Sequence, residues 1–339
     1  MPHPLVADPN RPTRMVLYGV KHSHAPGKLR AMLANSDVEF LGACEQDPQA
    51  RARAQDSTAF SGVRWLASPE EFLHDPTVDA VCLEGEEGKC SDLARQCVDA
   101  GKHLWYDKPV GDWQAFQAMA AIARERGLLI QMGYMLRYVT AFQQIATWKE
   151  AGVLGEIYAI RGHMSTSSTE ESRGRQGYVG GIAFQLAPHI IDQVVWLMDG
   201  RPNKITSFLR NDATPAVPQH ADNTLIVLEY DRGMSYIDVA HMEPAPTAWR
   251  FEVYGTKGSA IVVEPFEPGE TIRLCLNEAQ DGFERGAQLV PVESAPRTVS
   301  FPRELAAFVA TVRGQQSPDR SLEHELIVEE TMHRAVGTL

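Results

Sequence analysis

Apolar runs of strand length recur through the first part of the chain, at Met15–Val20, Val38–Cys44, Val63–Leu66, Val78–Glu84, His103–Tyr106 and Leu128–Met132. Between most of them lie segments with apolar positions at helical spacing, at Gly27–Leu33, Pro48–Gln55, Pro69–Leu73, Ser91–Ala100 and Trp113–Arg126. Strand and helix in alternation predict a doubly wound parallel sheet, with its ligand beyond the carboxyl ends of the strands. From about Glu156 the pattern changes to clustered strands: Glu156–Met164, Lys204–Arg210, Asn223–Tyr230, Met234–His241, Trp249–Glu264 and Thr271–Leu276. Trp249-Arg-Phe-Glu-Val-Tyr254 alternates with period two, the mark of a sheet with one wet face. The expected fold is therefore an α/β domain over 14–132 and an α+β domain over 133–339, with a break near Gly133. Pro302–Val312 and Leu322–Val336 read as closing helices that pack back on the first domain.

Size and charge narrow the ligand. At 339 residues, with about 150 per domain as a prior, two domains are natural. Forty-four acidic against 32 basic side chains give a formal charge of -12, which argues against nucleic acid or an anionic membrane as partner and points to a small molecule. Five cysteines, at 44, 82, 90, 97 and 275, form no C-x-x-C pair and no cluster with histidine. They read as reduced thiols of a cytoplasmic protein, and no metal site is expected. The opening MPHPLVADPNRPTR lacks the apolar stretch of a signal peptide and reads as a flexible leader. No run approaches the roughly 20 apolar residues that span a bilayer.

The candidate chemistry gathers at strand ends. After the first strand, where a dinucleotide-binding protein carries G-x-G-x-x-G, the chain reads Gly19-Val20-Lys21-His22-Ser23-His24. Gly19 permits the tight turn, and backbone N–H groups at the following helix start are expected to bind a pyrophosphate. Lys21 adds charge, and His22 and His24 are potential phosphate donors. Glu45, followed by Gln46 at the end of the second strand, stands where an acidic residue accepts ribose hydroxyls, which favours NAD over NADP. The run ending in Asp107-Lys108-Pro109 places a lysine at the ligand crevice, beside a proline that needs no ladder donor. In the helical pattern of 180–196, Pro188 is expected in the opening turns, with His189 near the positive end of the helix dipole and therefore neutral, as a general base must be. Asp192, three residues on, shares its face and either orients the imidazole or pairs elsewhere. The polar stretch 165–178, with Arg173 and Arg175, reads as a loop near the substrate.

Asp107-Lys108-Pro109, Gly133-Tyr-Met-Leu-Arg137, the Gly-Gly…His-x-x-Asp segment at 180–192 and Phe251-Glu-Val-Tyr-Gly-Thr-Lys-Gly-Ser259 together resemble the Gfo/Idh/MocA oxidoreductases. The resemblance runs from about Arg14 to the end. It implies a Rossmann domain followed by a domain with an open, largely antiparallel sheet that makes a homodimer or homotetramer. It also implies NAD(P)-linked chemistry on a hydroxyl or carbonyl of a sugar, cyclitol or related polyol. Asp107-Lys108-Pro109 matches the family's usual E-K-P, and His189 matches its active-site histidine. By the same resemblance Glu84, Gly85 and Glu86 stand in the loop that usually reads T-P-N, Arg137 faces the cofactor, and Gln185 replaces a carboxylate four residues before the histidine. In the expected mechanism, Lys108 stabilises the developing alkoxide while His189 takes the hydroxyl proton. The three departures also leave open a catalytically quiet nucleotide or sugar sensor, and the fold also admits an NAD-dependent glycoside hydrolase.

Overall fold

A computed structural model describes residues 7–168, 179–218 and 220–339, so Arg173, Arg175 and most of the polar stretch before the histidine helix lie outside the described residues. The chain divides into two compact units, one of residues 1–133 and 301–326, the other of 134–300 and 327–339.

The first unit is built on β1 (Thr13–Tyr18), β2 (Val38–Cys44), β3 (Ala80–Leu83), β4 (His103–Tyr106) and β5 (Ile130–Met132), all parallel in the order β2-β1-β3-β4-β5. β3 and β4 are buried at every position, which is why they read as unbroken apolar runs rather than alternating ones. Helices α1 (Ala25–Ala34), α2 (Pro48–Gln55), α3 (Glu70–Leu73), α4 (Ser91–Asp99) and α5 (Trp113–Arg126) supply the crossovers. Side chains of Asp47 and Asp112 accept N–H groups at the starts of α2 and α5, and Gly127 closes α5 at φ 67°.

Two expectations change here. Val63–Leu66 is not a strand: Trp65 makes an isolated bridge to Ala43, so four residues with a charged arginine among them only brace the side of β2. The D-K-P run therefore ends the fourth strand. Residues 7–14 are not a free leader either. The Ala7 N–H donates to the Val312 carbonyl at 3.0 Å, Arg11 pairs with Asp79 at 2.6 Å, and β1 begins at Thr13.

The 301–326 segment finishes the first unit. Phe308 stacks on Trp105, with centroids 6.4 Å apart. The exposed edge of the sheet is closed at Met132, whose N–H donates to Glu325 at 3.0 Å and whose carbonyl accepts from Arg320.

The second unit holds β6 (Ile157–His163), β7 (Lys204–Arg210), β8 (Asn223–Glu229), β9 (Met234–Ala240), β10 (Arg250–Gly255), β11 (Gly258–Val262), β12 (Thr271–Leu276) and β13 (Gly286–Pro291). Their order is β13-β12-β11-β10-β6-β9-β8-β7, antiparallel except where β6 meets β9. The expected Trp249–Glu264 strand is a hairpin, β10 and β11, turning at Thr256 and Lys257. Helix α6 (Thr140–Glu150) precedes the sheet, and the long helix α7 (Gly181–Leu197) covers one face of it. The approach is close: a Cβ on Gly162 of β6 would stand 2.3 Å from Ile190. Helices α8 (Arg297–Val312) and α9 (Leu322–Val336) end the chain.

Candidate active site

In the first unit, each strand from β2 to β4 hands a carboxylate to the same edge: Glu45 after β2, Glu84 after β3 and Asp107 after β4. Parallel strands bring their carboxyl ends into register, so acids at strand ends become neighbours. Glu84 is completely buried and Asp107 is nearly so. Two carboxylates without counter-charge would be costly in such a place. Lys28, from the first turn of α1, supplies the charge. Its ammonium, completely buried, lies 2.9 Å from Glu84 Oε1, 2.9 Å from Asp107 Oδ2 and 4.2 Å from the centre of the Trp105 ring. Burial opposes its charge, yet Asp107 and Glu84 raise its pKa well above the ordinary lysine value.

His22 and His24, the latter at the third glycine position of the fingerprint, turn inward onto this group. His24 Nδ1 lies 2.9 Å from Asp107 Oδ2. Burial holds its pKa down to about 3 against the pull of Asp107, so the ring is neutral and donates its Nδ1 proton to the carboxylate. His22 Nδ1 lies 3.3 Å from Glu84 Oε2 and 3.6 Å from Asp107 Oδ2, and its Nε2 lies 3.2 Å from Glu87 Oε1. Burial disfavours its charge, but Asp107, Glu84 and Glu87 together raise it to about 10. Asp107 is held well below the carboxylate range: burial opposes ionisation, and His22, Lys28 and His24 overcome it. Glu84 goes the other way, because burial and Asp107 raise its pKa more than Lys28 and His22 lower it. His22, His24 and Asp107 bring ligand-type atoms within 4.8 Å of one another. Lys28, bonded to the same carboxylates, already supplies a cation to this group.

Asp107 also fixes the backbone of its neighbour. Its Oδ1 accepts the N–H of Lys108 at 2.9 Å. The carboxylate occupies the space left by the missing side chain of Gly133, where a Cβ would stand 2.6 Å from Oδ1. Lys108 itself is 3% exposed.

The residues expected to hold a dinucleotide lie along this edge, with some of the expected donors already engaged. Gly19 keeps the tight turn at φ 82°, and a Cβ there would meet the Gly85 backbone at 2.6 Å. Glu45 is fixed at the end of β2 by the Val20 N–H at 3.0 Å and the Asp47 N–H at 2.8 Å, one bond to each oxygen, which leaves each oxygen a further lone pair. The helix start is poorer than expected. The Ala25 N–H goes to His22 O, Pro26 has none, and the Gly27 N–H goes to His24 O, so the first turn of α1 spends its donors internally. The neighbouring loop keeps Lys21 and Ser23 at the surface. Lys21 sits 2.8 Å from Asp47 and 3.6 Å from Glu86, and Gln46 accepts the Tyr18 hydroxyl at 3.0 Å.

The second unit places its candidates differently. His189 is the ninth residue of α7 and Pro188 lies inside the helix, because the helix begins at Gly181. The expected dipole effect does not apply, since it fades within the first turn. Asp192 Oδ1 pairs with Arg137 Nη2 at 2.7 Å and its Oδ2 accepts from Gln193 at 2.6 Å, all within this unit. Arg137 also lies over the Trp196 ring at 4.2 Å. Gln185, half-buried, stands one turn before His189. Sequence reasoning missed Lys28 and Glu87; the available signal was two acids at successive buried strand ends, which demand a cation.

Residues 14–134 match the oxidoreductase family with an NAD-binding Rossmann fold, and residues 142–261 match the GFO/IDH/MocA C-terminal domain. The chain belongs to the Gfo/Idh/MocA family of NAD-binding oxidoreductases. It is 25% identical over 314 residues to the oxidoreductase YdgJ of Escherichia coli, covering 89% of this chain and 87% of that protein. It is 24% identical over 224 residues to scyllo-inositol 2-dehydrogenase (NAD(+)) of Bacillus subtilis, covering 65% of each. With the oxidoreductase YrbE of Bacillus subtilis, 27% identical over 201 residues, the match covers 56% of this chain and 57% of that protein. In fold it is similar to levoglucosan dehydrogenase in complex with NADH and levoglucosan, with TM-score 0.80 at 15% identity over 97% of this chain and 98% of that one.

Proposed function

We propose that this protein is an NAD-linked dehydrogenase or reductase acting on a secondary hydroxyl or its carbonyl in a sugar, cyclitol or related polyol. The observation that carries the reading is Lys108, buried immediately beyond β4, its backbone pinned by Asp107 in the sheet edge where the family holds its dinucleotide. Bound NAD supplies the hydride acceptor. Lys108 donates to the substrate oxygen and stabilises negative charge as it develops there, an interaction strongest in the transition state. His189 takes the hydroxyl proton, assistance worth roughly 10²–10⁴-fold, and Gln185 positions its ring by hydrogen bonding from the preceding turn. Glu45 favours NAD over NADP by accepting ribose hydroxyls and repelling a 2′-phosphate.

The chain works as a homodimer or homotetramer. The sheet face opposite α7 exposes Phe208, Met234, Tyr236 and Leu289, an apolar surface suited to a second copy of the sheet. Among the described residues no helix is long and apolar enough to cross a membrane. The thiols of Cys44 and Cys90 are raised by burial to about 11 and about 12, which suits a reducing cytoplasm where they stay unreactive.

The test is cofactor reduction followed at 340 nm with a panel of inositols, aldoses and anhydrosugars, alongside light scattering for mass. NADH formation from at least one polyol supports the reading. NADH binding without turnover on any of them favours the sensor, and glycoside cleavage without net NADH favours the hydrolase.

A further inference from the structure

We propose that Lys28 is a positioning residue for the reaction: it acts through the Asp107 carboxylate to hold Lys108 in its working place. This rests on the reading of Lys108 given above. The Asp107 carboxylate has two oxygens and divides their work. Oδ1 accepts the Lys108 N–H at 2.9 Å, while Oδ2 is clamped by the Lys28 ammonium and the His24 imidazole, each at 2.9 Å. Little of this carboxylate is left to solvent, since Asp107 is 4% exposed and Lys28 completely buried. Asp107 and Lys28 pack together against Gly133, where a Cβ would stand 2.6 Å from Asp107 Oδ1 and 3.1 Å from Lys28 Nζ.

A rigid chain thus runs from α1 through the β4 edge to the residue that meets the substrate. The chain is charge-assisted at its Lys28 link, and hydrogen bonds to ionised groups are the shorter and stronger kind. Lys28 has a second role that a neutral residue could not fill. The loop after β1 has lost two glycines, and His22 and His24 fill the space beneath it. Without Lys28 only His22 would face both Asp107 and Glu84, and the repulsion between the two carboxylates would be left partly uncompensated. Asp107 Oδ2 would keep its His24 bond and the more distant His22 at 3.6 Å but lose the Lys28 clamp, and Lys108 would be free to shift. Misplacement of a catalytic group by about 1 Å costs on the order of 10²-fold in rate.

The experiment compares wild type, Lys28→Met, the double variant Lys28→Met/Glu84→Gln, and Lys108→Ala. Lys28→Met removes the charge at nearly constant volume but leaves two carboxylates facing each other, so it is expected to fold with a lowered Tm. Glu84→Gln in the same chain removes the excess negative charge and is expected to recover most of that Tm. If Lys28 positions Lys108, both Lys28 variants lose kcat by about 10- to 100-fold, with KM for the polyol and the Kd for NADH within about twofold of wild type. A crystal structure of the double variant then shows the Asp107 Oδ1 to Lys108 N contact lengthened beyond hydrogen-bond range. If kcat returns with Tm in the double variant, or if the contact is unchanged in the crystal, Lys28 only balances charge and the proposal is overturned. Lys108→Ala separates the two failures. Wild-type turnover in Lys108→Ala would sink the functional reading, whereas an inactive Lys108→Ala beside an active Lys28→Met would sink the positioning role alone.

Discussion

Arg137 Nη2 lies 2.7 Å from Asp192 Oδ1, both side chains buried, with the guanidinium also packed over Trp196. The pair ties the turn before α6 to the middle of α7, the helix that carries His189. Removing one partner of such a pair leaves an uncompensated buried charge, which costs about 3–5 kcal/mol. Arg137→Met should therefore destabilise the second unit by that amount in urea unfolding while changing the Kd for NADH less than twofold. A large change in NADH affinity with unaltered stability would show that Arg137 serves the cofactor instead.

Glu304 is fully buried in the first unit, and its carbonyl accepts from Gln131. Burial raises its pKa to about 7, against the attraction of Lys28. An acid whose folded pKa lies above its unfolded value of about 4.5 contributes stability that is full below pH 4.5 and is lost as pH rises through 7. Stability of the first unit should fall between pH 5 and pH 8, by a few kcal/mol at most. Glu304→Gln should flatten that slope. Equal slopes in the two proteins, measured by denaturant unfolding across the range, would remove Glu304 as its cause.

Gly19 combines a left-handed φ of 82° with a space already filled by the Gly85 backbone, 2.6 Å from where a Cβ would stand. Gly19→Ala should cost at least about 1–3 kcal/mol of stability and weaken NADH binding, because either the β1 turn or the β3 loop must open. Calorimetric titration that finds wild-type affinity would mean that the turn does not contact the dinucleotide.

Much of the first unit is legible in the amino-acid sequence. Buried parallel strands show as largely apolar runs, so β1 to β5, and the acids or lysine that follow β2, β3 and β4, could be placed by counting. What escaped was decided by tertiary context. Val63–Leu66 has strand composition but pairs at one bridge only. β13 was missed because its side chains alternate between half-buried and exposed. Helix α7 starts at Gly181, two turns before Pro188, so the histidine placed at a helix start sits mid-helix. Lys28 lies in a segment that reads as an ordinary surface helix, and its burial depends on Glu84 and Asp107, acids brought to it only by the sheet. Propensity and periodicity carry no information about such a pairing.

Glu45 is held by two backbone N–H groups at the end of β2. NADH should bind more tightly than NADPH, and Glu45→Gln should narrow the preference by about tenfold, which corresponds to ~1.4 kcal/mol. Fluorescence titration of both reduced cofactors checks it. Tighter NADPH binding by wild type would reverse the assignment.

The proposed reaction turns on Lys108, held by Asp107 at the end of β4, stabilising charge on a substrate oxygen during hydride transfer. Single-turnover formation of NADH, with enzyme in excess over the best polyol, measures that step apart from product release. Lys108→Ala should slow it at least about 10²-fold while leaving the Kd for NADH within about twofold and the fold intact by circular dichroism. A Lys108→Ala protein that forms NADH at the wild-type rate would take Lys108 out of the chemistry.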